Sequence, residues 1–252
     1  MNTIGIIGAG MIGSQIARLS VNAGLNVLIS NSRGPQTLET LIKELGSKAR
    51  AVTSDQAVAQ ADIVVLAIPF GIYASLLPEQ YASKIIIDTT NYYPERDGVM
   101  QEVQTDQIAS SELVQGHLKG ARLVKALSNM DWVRLYQGAR PLEGSRRSAV
   151  PIASDDQEAK SVVTEFLGRI GYDTVDMGTL KDSWRSEPTM PVYVAPYLGK
   201  PDAELTGQQT RDWFMNAPER LVDKNEVKRL LESAVRHENM VGMLARTVGA
   251  SL

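Results

Sequence analysis

The sequence predicts an α/β protein built on a doubly wound parallel sheet, and three observations carry that expectation. Along the first half of the chain, short apolar runs alternate with stretches whose apolar residues recur at helical spacing. The run Ile63 to Ile68 is continuously apolar, as a central parallel strand covered on both faces is. Glycine or proline punctuates the pattern, at Gly24, Pro69 and Gly171. With 252 residues, 43% hydrophobic and 22% charged, the chain is long enough for one large domain or two modest ones with a proper core.

Thr3 to Ile7 reads as the first strand, followed by glycines and then a helix carrying Met11, Ile12, Ile16, Ala17 and Leu19 on one face. Gly24 stops that helix and Leu25 to Ser30 forms the second strand. Pro35 suits the first turn of a helix running through Leu45. Ala49 to Val52 is a weaker third strand, and Ser54 or Asp55 can cap a short helix ending near Gln60. Lys84 to Ile87 and Arg122 to Ala126 supply the last two strands. Strands alternating with helices at this pitch imply right-handed crossovers in one sheet. The texture then changes, so residues 1–126 are expected to form one domain and 127–252 a smaller C-terminal α/β and helical region for substrate or oligomerisation. Within it, Ser148 to Ala153 and Tyr172 to Val175 read as strands around a helix over Asp155 to Leu167. Prolines 188, 191, 196 and 201 forbid regular helix, and a closing helix starts at Asn225 with Val227, Leu230, Leu231, Ala234 and Val235 as its apolar stripe.

Composition removes several function classes. A net charge of −3 gives no basic field for a nucleic acid. The absence of cysteine excludes disulfides, thiolate metal sites and cysteine nucleophiles, and only His117 and His237 offer imidazole. No metal site is expected. No apolar run reaches the roughly 18 residues that a membrane span needs, and the first 20 residues lack a signal-peptide pattern, so a cytoplasmic protein is expected.

Gly8-Ala9-Gly10-Met11-Ile12-Gly13 is a G-x-G-x-x-G loop entered by a strand and left by a helix. In such a Rossmann unit Gly8 permits the tight turn, Gly10 admits a pyrophosphate against the backbone, and Gly13 lets the helix pack on its strand. The helix N-terminus then faces the phosphates. Where NAD-binding chains place a carboxylate for the ribose 2′-hydroxyl, this one has Ser30, Asn31, Ser32 and Arg33. Hydroxyls, an amide and a guanidinium suit a 2′-phosphate, so NADP(H) is the expected cofactor. Asn91 follows a strand's carboxyl end, where open α/β sheets place ligands.

The fingerprint, the run Asn31-Ser32-Arg33-Gly34-Pro35, the strand end Ala67-Ile68-Pro69 and the segment Leu123 to Asn129 resemble the deazaflavin-dependent NADP reductase family, to which the oxidoreductase domains of the six-transmembrane metalloreductases are related. The likeness continues to about Asp182, through Ala153-Ser154-Asp155-Asp156 and Gly171-Tyr172-Asp173. It implies cofactor contacts at Gly8, Gly10, Met11, Ile12, Asn31, Ser32, Arg33, Ile68 and Pro69, with a deazaflavin or flavin beside the nicotinamide. The family pattern has Phe where Leu127 stands, and its compact members lack the residues after Asp182. Both differences bear on the second substrate.

Hydride transfer between two heterocycles needs placement more than a protein acid, which agrees with a histidine-poor chain. A carbonyl or imine substrate would need a donor, for which Lys125, His117, Tyr93 and Asn129 are the candidates. Between Lys119 and Arg147 seven basic residues face two acidic ones, a stretch that would draw an anionic acceptor. Tyr92, Tyr93, Trp132 and Tyr136 are available to stack a ring. Met190, Tyr193, Tyr197, Trp213, Phe214 and Met215 make Ser183 to Leu252 an arm expected to cover a partner subunit, giving a homodimer, or to close the substrate cleft. The expected function is hydride exchange between NADP(H) and a flavin-like or deazaflavin coenzyme. The alternatives are a reductase of small carbonyls or imines like the β-hydroxyacid dehydrogenases, and a non-catalytic NADP(H)-sensing module.

Overall fold

Ile4, Ile6 and the run Ile63 to Leu66 are screened almost completely from water, and around them the first half of the chain forms one sheet. The computed structural model describes residues 1–105, 107–141, 146–198, 201 and 205–236. His237 and the rest of the expected arm through Leu252 lie outside the described residues, as does Glu143.

Six parallel strands, β1 (Thr3–Ile7), β2 (Asn26–Ser30), β3 (Ala49–Ala51), β4 (Ile63–Leu66), β5 (Ile85–Asp88) and β6 (Arg122–Lys125), lie in the order β3-β2-β1-β4-β5-β6. This is the doubly wound order of the Rossmann fold. Chain direction across the sheet reverses between β1 and β4, which opens a crevice beyond their carboxyl ends. Helices α1 (Met11–Asn22), α2 (Glu39–Leu45), α3 (Ser54–Gln60) and α4 (Ser110–His117) fill the crossovers. Two boundaries differ from the sequence reading. Pro35–Leu38 is a 3-10 turn set before α2, and β4 stops at Leu66 because the chain turns away after Ala67. The cap of α3 is Thr53, whose Oγ1 accepts from the Gln56 N–H at 3.3 Å, rather than Ser54 or Asp55.

Beyond β6 come α5 (Trp132–Gln137), β7 (Ala149–Ile152), α6 (Gln157–Ile170) and β8 (Asp173–Asp176), then α7 (Gly207–Asn216) and α8 (Lys224–Glu232). Strands β7 and β8 pair in parallel as a second, two-stranded sheet. Asp156 caps α6, accepting from the Ala159 N–H at 2.8 Å, and Gly171 ends it with φ +106°. Helix α8 ends before Ala234, so Val235 is exposed and is not part of its apolar stripe.

Residue 126 separates the two sheets but not two cores. Ile4, Ile6 and Ile16 share one apolar cluster with Leu135, Val150, Phe166, Val192, Tyr197 and Val227. Helix α1 is held between the large sheet and helices α5 and α6. The described part of the arm packs on its own chain: Met190, Tyr197 and Phe214 are buried there, and the Arg134 guanidinium lies 4.5 Å from the Phe214 ring centroid. No helix among the described residues is long and apolar enough to cross a membrane.

Candidate active site

The three loop glycines differ in what requires them. Gly8 has φ +106°, and a Cβ there would stand 2.2 Å from the Ala67 carbonyl oxygen. A Cβ on Gly13 would stand 1.9 Å from the Gly8 carbonyl oxygen. Both are demanded by the protein's own packing. Gly10 is different, since a Cβ there would meet nothing within 4 Å and would project into open space. Its bareness keeps room for something the chain does not itself provide. Gly10 is also the N-cap of α1, with no side chain capping the helix and no acidic residue in the first turn. The N–H groups and partial positive charge of that helix end are left for an anion.

A cleft of about 400 Å³ opens from this loop, bordered by Gly8, Gly10, Asn31, Arg33, Ile68 and Pro69. Ser32 and Ser54 also line it. The Asn31 side chain is spent on the turn: Oδ1 accepts from the Arg33 N–H at 3.0 Å and Nδ2 donates to Thr37 Oγ1 at 2.8 Å. Arg33 is thereby fixed at the rim, and among the described residues its exposed guanidinium has no hydrogen bond or ion pair. Ser30 is fully buried; its hydroxyl lies 3.2 Å from that of Ser54 and donates to the Ile6 carbonyl. Met11 and Ile12 do not line the cleft. Met11 is 63% exposed and Ile12 packs against the core, so both contribute only as part of the first turn of α1. Ile72 and Leu76, which line the far wall, carried no sequence signal because they follow the strand in a 3-10 turn at Phe70–Ser75.

At the carboxyl ends of β5 and β6 the polar groups are engaged. Lys125, a candidate proton donor, is fully buried: its Nζ donates to the Thr90 carbonyl at 2.5 Å and lies 3.4 Å from Asp88 Oδ2. Asp88 also accepts from the Thr90 N–H and hydroxyl and from Ser111 Oγ. Register explains the pairing, because Asp88 and Lys125 are the last partners of β5 and β6. Lys125 is neither a cleft acid nor a surface lysine. Asn129 is likewise buried, its Nδ2 donating to Tyr197 Oη at 3.0 Å and to the Val192 carbonyl. Asn91 lies outside the lining of the glycine-loop cleft, and its Nδ2 donates to the Ser128 carbonyl at 2.8 Å. The Tyr93 hydroxyl lies 2.5 Å from that of Tyr193, and burial raises the pKa of both phenols.

With this geometry in place, residues 3–92 match the family model described as NADP oxidoreductase, coenzyme F420-dependent. Over that stretch the chain resembles NADP oxidoreductases, and its six-stranded sheet is of Rossmann type. It is 28% identical over 195 residues to Metalloreductase STEAP3 of Rattus norvegicus, covering 77% of this chain and 37% of that protein. The chain therefore spans little more than a third of the curated relative's length. Among solved structures, a hypothetical protein, SMa0349 of Sinorhizobium meliloti, is 28% identical with a TM-score of 0.68, covering 77% of this chain and 94% of that one. A structure assigned as an F420-dependent NADP-reductase from Arthrobacter sp. FB24 is 24% identical with a TM-score of 0.60, over 73% and 87% of the two chains; that likeness concerns the fold.

Several residues expected from the sequence near a second substrate have other work. His117 ends α4, and its Nε2 lies 2.8 Å from the Leu76 carbonyl oxygen while its ring stands edge-on to Tyr73, so it is not a solvated loop residue. Tyr92 is fully buried, with its hydroxyl between the Gly98 carbonyl and the Met100 N–H. The basic stretch is not an open positive field. Arg122 pairs with Asp156 and Glu158, Lys125 with Asp88, Arg134 with Asp131 and Arg140 with Glu219. Acidic partners from distant parts of the sequence neutralise Arg122, Lys125 and Arg140, and Arg134 pairs within the stretch. Trp132 is half-buried in the cluster around Phe214, and Tyr136 is exposed.

Proposed function

We propose that the chain moves hydride between the nicotinamide of NADP(H) and a flat deazaflavin or flavin coenzyme. The observation that carries the cofactor half is Gly10, whose missing Cβ leaves space at an uncapped helix end within reach of a rim arginine. Gly8, Gly10 and the first turn of α1 would hold the pyrophosphate, and Ser32 and Arg33 the 2′-phosphate. When bound, the nicotinamide supplies or accepts the hydride. The chain's part is to orient it along the crevice, with Ile68 and Pro69 forming an apolar edge that limits water.

What supports a second coenzyme over a small carbonyl or imine is the state of the donors. Lys125, Asn129, His117 and Tyr93 each already bond within the chain, and hydride exchange between two rings asks least of them. The test is NADPH oxidation, followed spectrophotometrically, against deazaflavin, FMN, FAD, quinones, ferric chelates, and small ketones and imines. Turnover with the deazaflavin or a flavin is expected. Turnover confined to ketones or imines overturns the assignment, and tight NADPH binding without turnover of any acceptor makes the chain a sensor. A homodimer through the tail, where Met215 and Val235 are exposed, belongs to the same proposal; a monomer by light scattering removes it.

A further inference from the structure

The arm packs beyond the carboxyl end of β6, at the same edge of the parallel sheet as the crevice. Its Val194 N–H donates to the Asn129 carbonyl at 2.8 Å, and Asn129 in return donates to the Val192 carbonyl. Two further observations converge on this junction. Of the non-glycine residues with positive φ among the described residues, Thr189 (φ 76°) and Val194 (φ 52°) bracket the arm segment Met190–Tyr193, and Leu127 (φ 59°) belongs to the loop beneath it. β-branched residues rarely adopt that conformation, and such departures gather at ligand-handling segments. Asn129, fully buried beneath this segment, also keeps an Oδ1 without a hydrogen-bond partner among the described residues. The segment is fastened by the contact between the Tyr93 and Tyr193 hydroxyls, with Tyr93 almost fully buried and Tyr193 partly exposed.

We infer that Thr189–Val194 is a strap forming one wall of the hydride-acceptor site, and that Tyr193, through Tyr93, positions it and so restricts which acceptors fit. The inference rests on the oxidoreductase reading and adds a residue that selects the second substrate. Val192 anchors the middle of the strap in the core, so the wall is set by side-chain contacts and does not swing freely. Tyr193 acts as a positioning residue. The side chain that bounds the acceptor is its ring, and the hydroxyl fixes that ring through Tyr93.

The experiment compares the full-length chain with Tyr193→Phe, Tyr193→Ala and, as a control, Tyr136→Phe at an exposed ring. NADPH affinity, read by fluorescence titration, should stay within about twofold in all of them. The ratio of kcat/KM for a bulky acceptor to that for a small one should rise at least tenfold in Tyr193→Ala. Tyr193→Phe should shift KM rather than kcat, and the control should do neither. A ratio unchanged in Tyr193→Ala, with NADPH affinity retained, overturns the proposal. If the wild-type chain turns over no acceptor, the reaction reading fails separately and hydrogen exchange tests the strap. Peptides spanning residues 187–197 should exchange at least fivefold faster in Tyr193→Phe and slow down on addition of NADP⁺; no response to either change overturns the strap.

Discussion

Where β1 and β2 end, Gly10 faces open space and the Arg33 guanidinium meets no carboxylate among the described residues; where β5 and β6 end, Lys125, Asn129 and Tyr93 are each engaged by a neighbour. One half of the crevice is unfinished and asks for an anion. At the other the chain engages its own groups, through an ion pair, hydrogen bonds from a side-chain amide and a tyrosine pair. The contrast separates residues whose loss should cost NADP(H) binding from groups such as the Lys125–Asp88 pair, whose loss should cost stability.

The largest expected effect is at Lys125. Removing it by Lys125→Ala leaves Asp88 buried without its cation, a change that typically costs about 3–5 kcal/mol. Chemical denaturation should show that loss, and the paired replacement Lys125→Met with Asp88→Leu should recover part of it. Retention of full stability by Lys125→Ala would mean the pair is not what holds the ends of β5 and β6.

Next come the glycines, which test the contrast within six residues. Gly8→Ala forces a side chain into positive φ against the Ala67 carbonyl and should cost about 3 kcal/mol, seen as a fall in Tm of roughly 6–12 °C. Gly10→Ala should leave Tm within a degree or two and raise the NADPH Kd about tenfold or more. Equal losses of stability from both would erase the distinction drawn between them.

Arg33→Ala is expected to raise the NADPH Kd by about 10- to 150-fold, the worth of one charged hydrogen bond, and to change NADH binding little. Equal weakening of both cofactors would remove the 2′-phosphate from its role. The smallest effect concerns pH. The Arg122 guanidinium, aided by the Ala159 N–H, holds the Asp156 carboxyl down at about 2, against roughly 3.9 in an unfolded chain. A depressed carboxyl stabilises the fold above the unfolded value and loses that contribution as pH falls through the folded one. The Tm difference between the wild type and Arg122→Ala should therefore be steady above about pH 4 and shrink toward pH 2. Because this pair is partly exposed, the difference should also weaken with salt.

The same contrast describes what could be read from residues alone. The six strands of the large sheet and the glycine loop were legible because each is encoded within a few consecutive positions: apolar runs, a punctuating Gly or Pro, a fixed spacing. Helix α7 was not, since Gln208, Gln209, Arg211 and Asp212 give it no apolar stripe and only Phe214 is buried. The partners of Lys125, Arg122 and Arg140 come from 37, 34 and 79 positions away, and Tyr193 stands 100 positions from Tyr93. Sheet register and tertiary packing bring those pairs together, so a basic stretch that reads as a positive field is in large part paired with acids. The glycine loop was readable for that reason, and the packing at the ends of β5 and β6 was not.

The core shared across residue 126 has a thermodynamic corollary. All three tryptophans, Trp132, Trp184 and Trp213, lie in the C-terminal region, whereas the glycine loop and Arg33 lie in the other. Because α1 is wedged between the large sheet and helices α5 and α6, the halves should melt as a single cooperative unit. Occupancy of the glycine-loop cleft would then raise the unfolding midpoint reported by indole fluorescence, from rings outside the cleft lining.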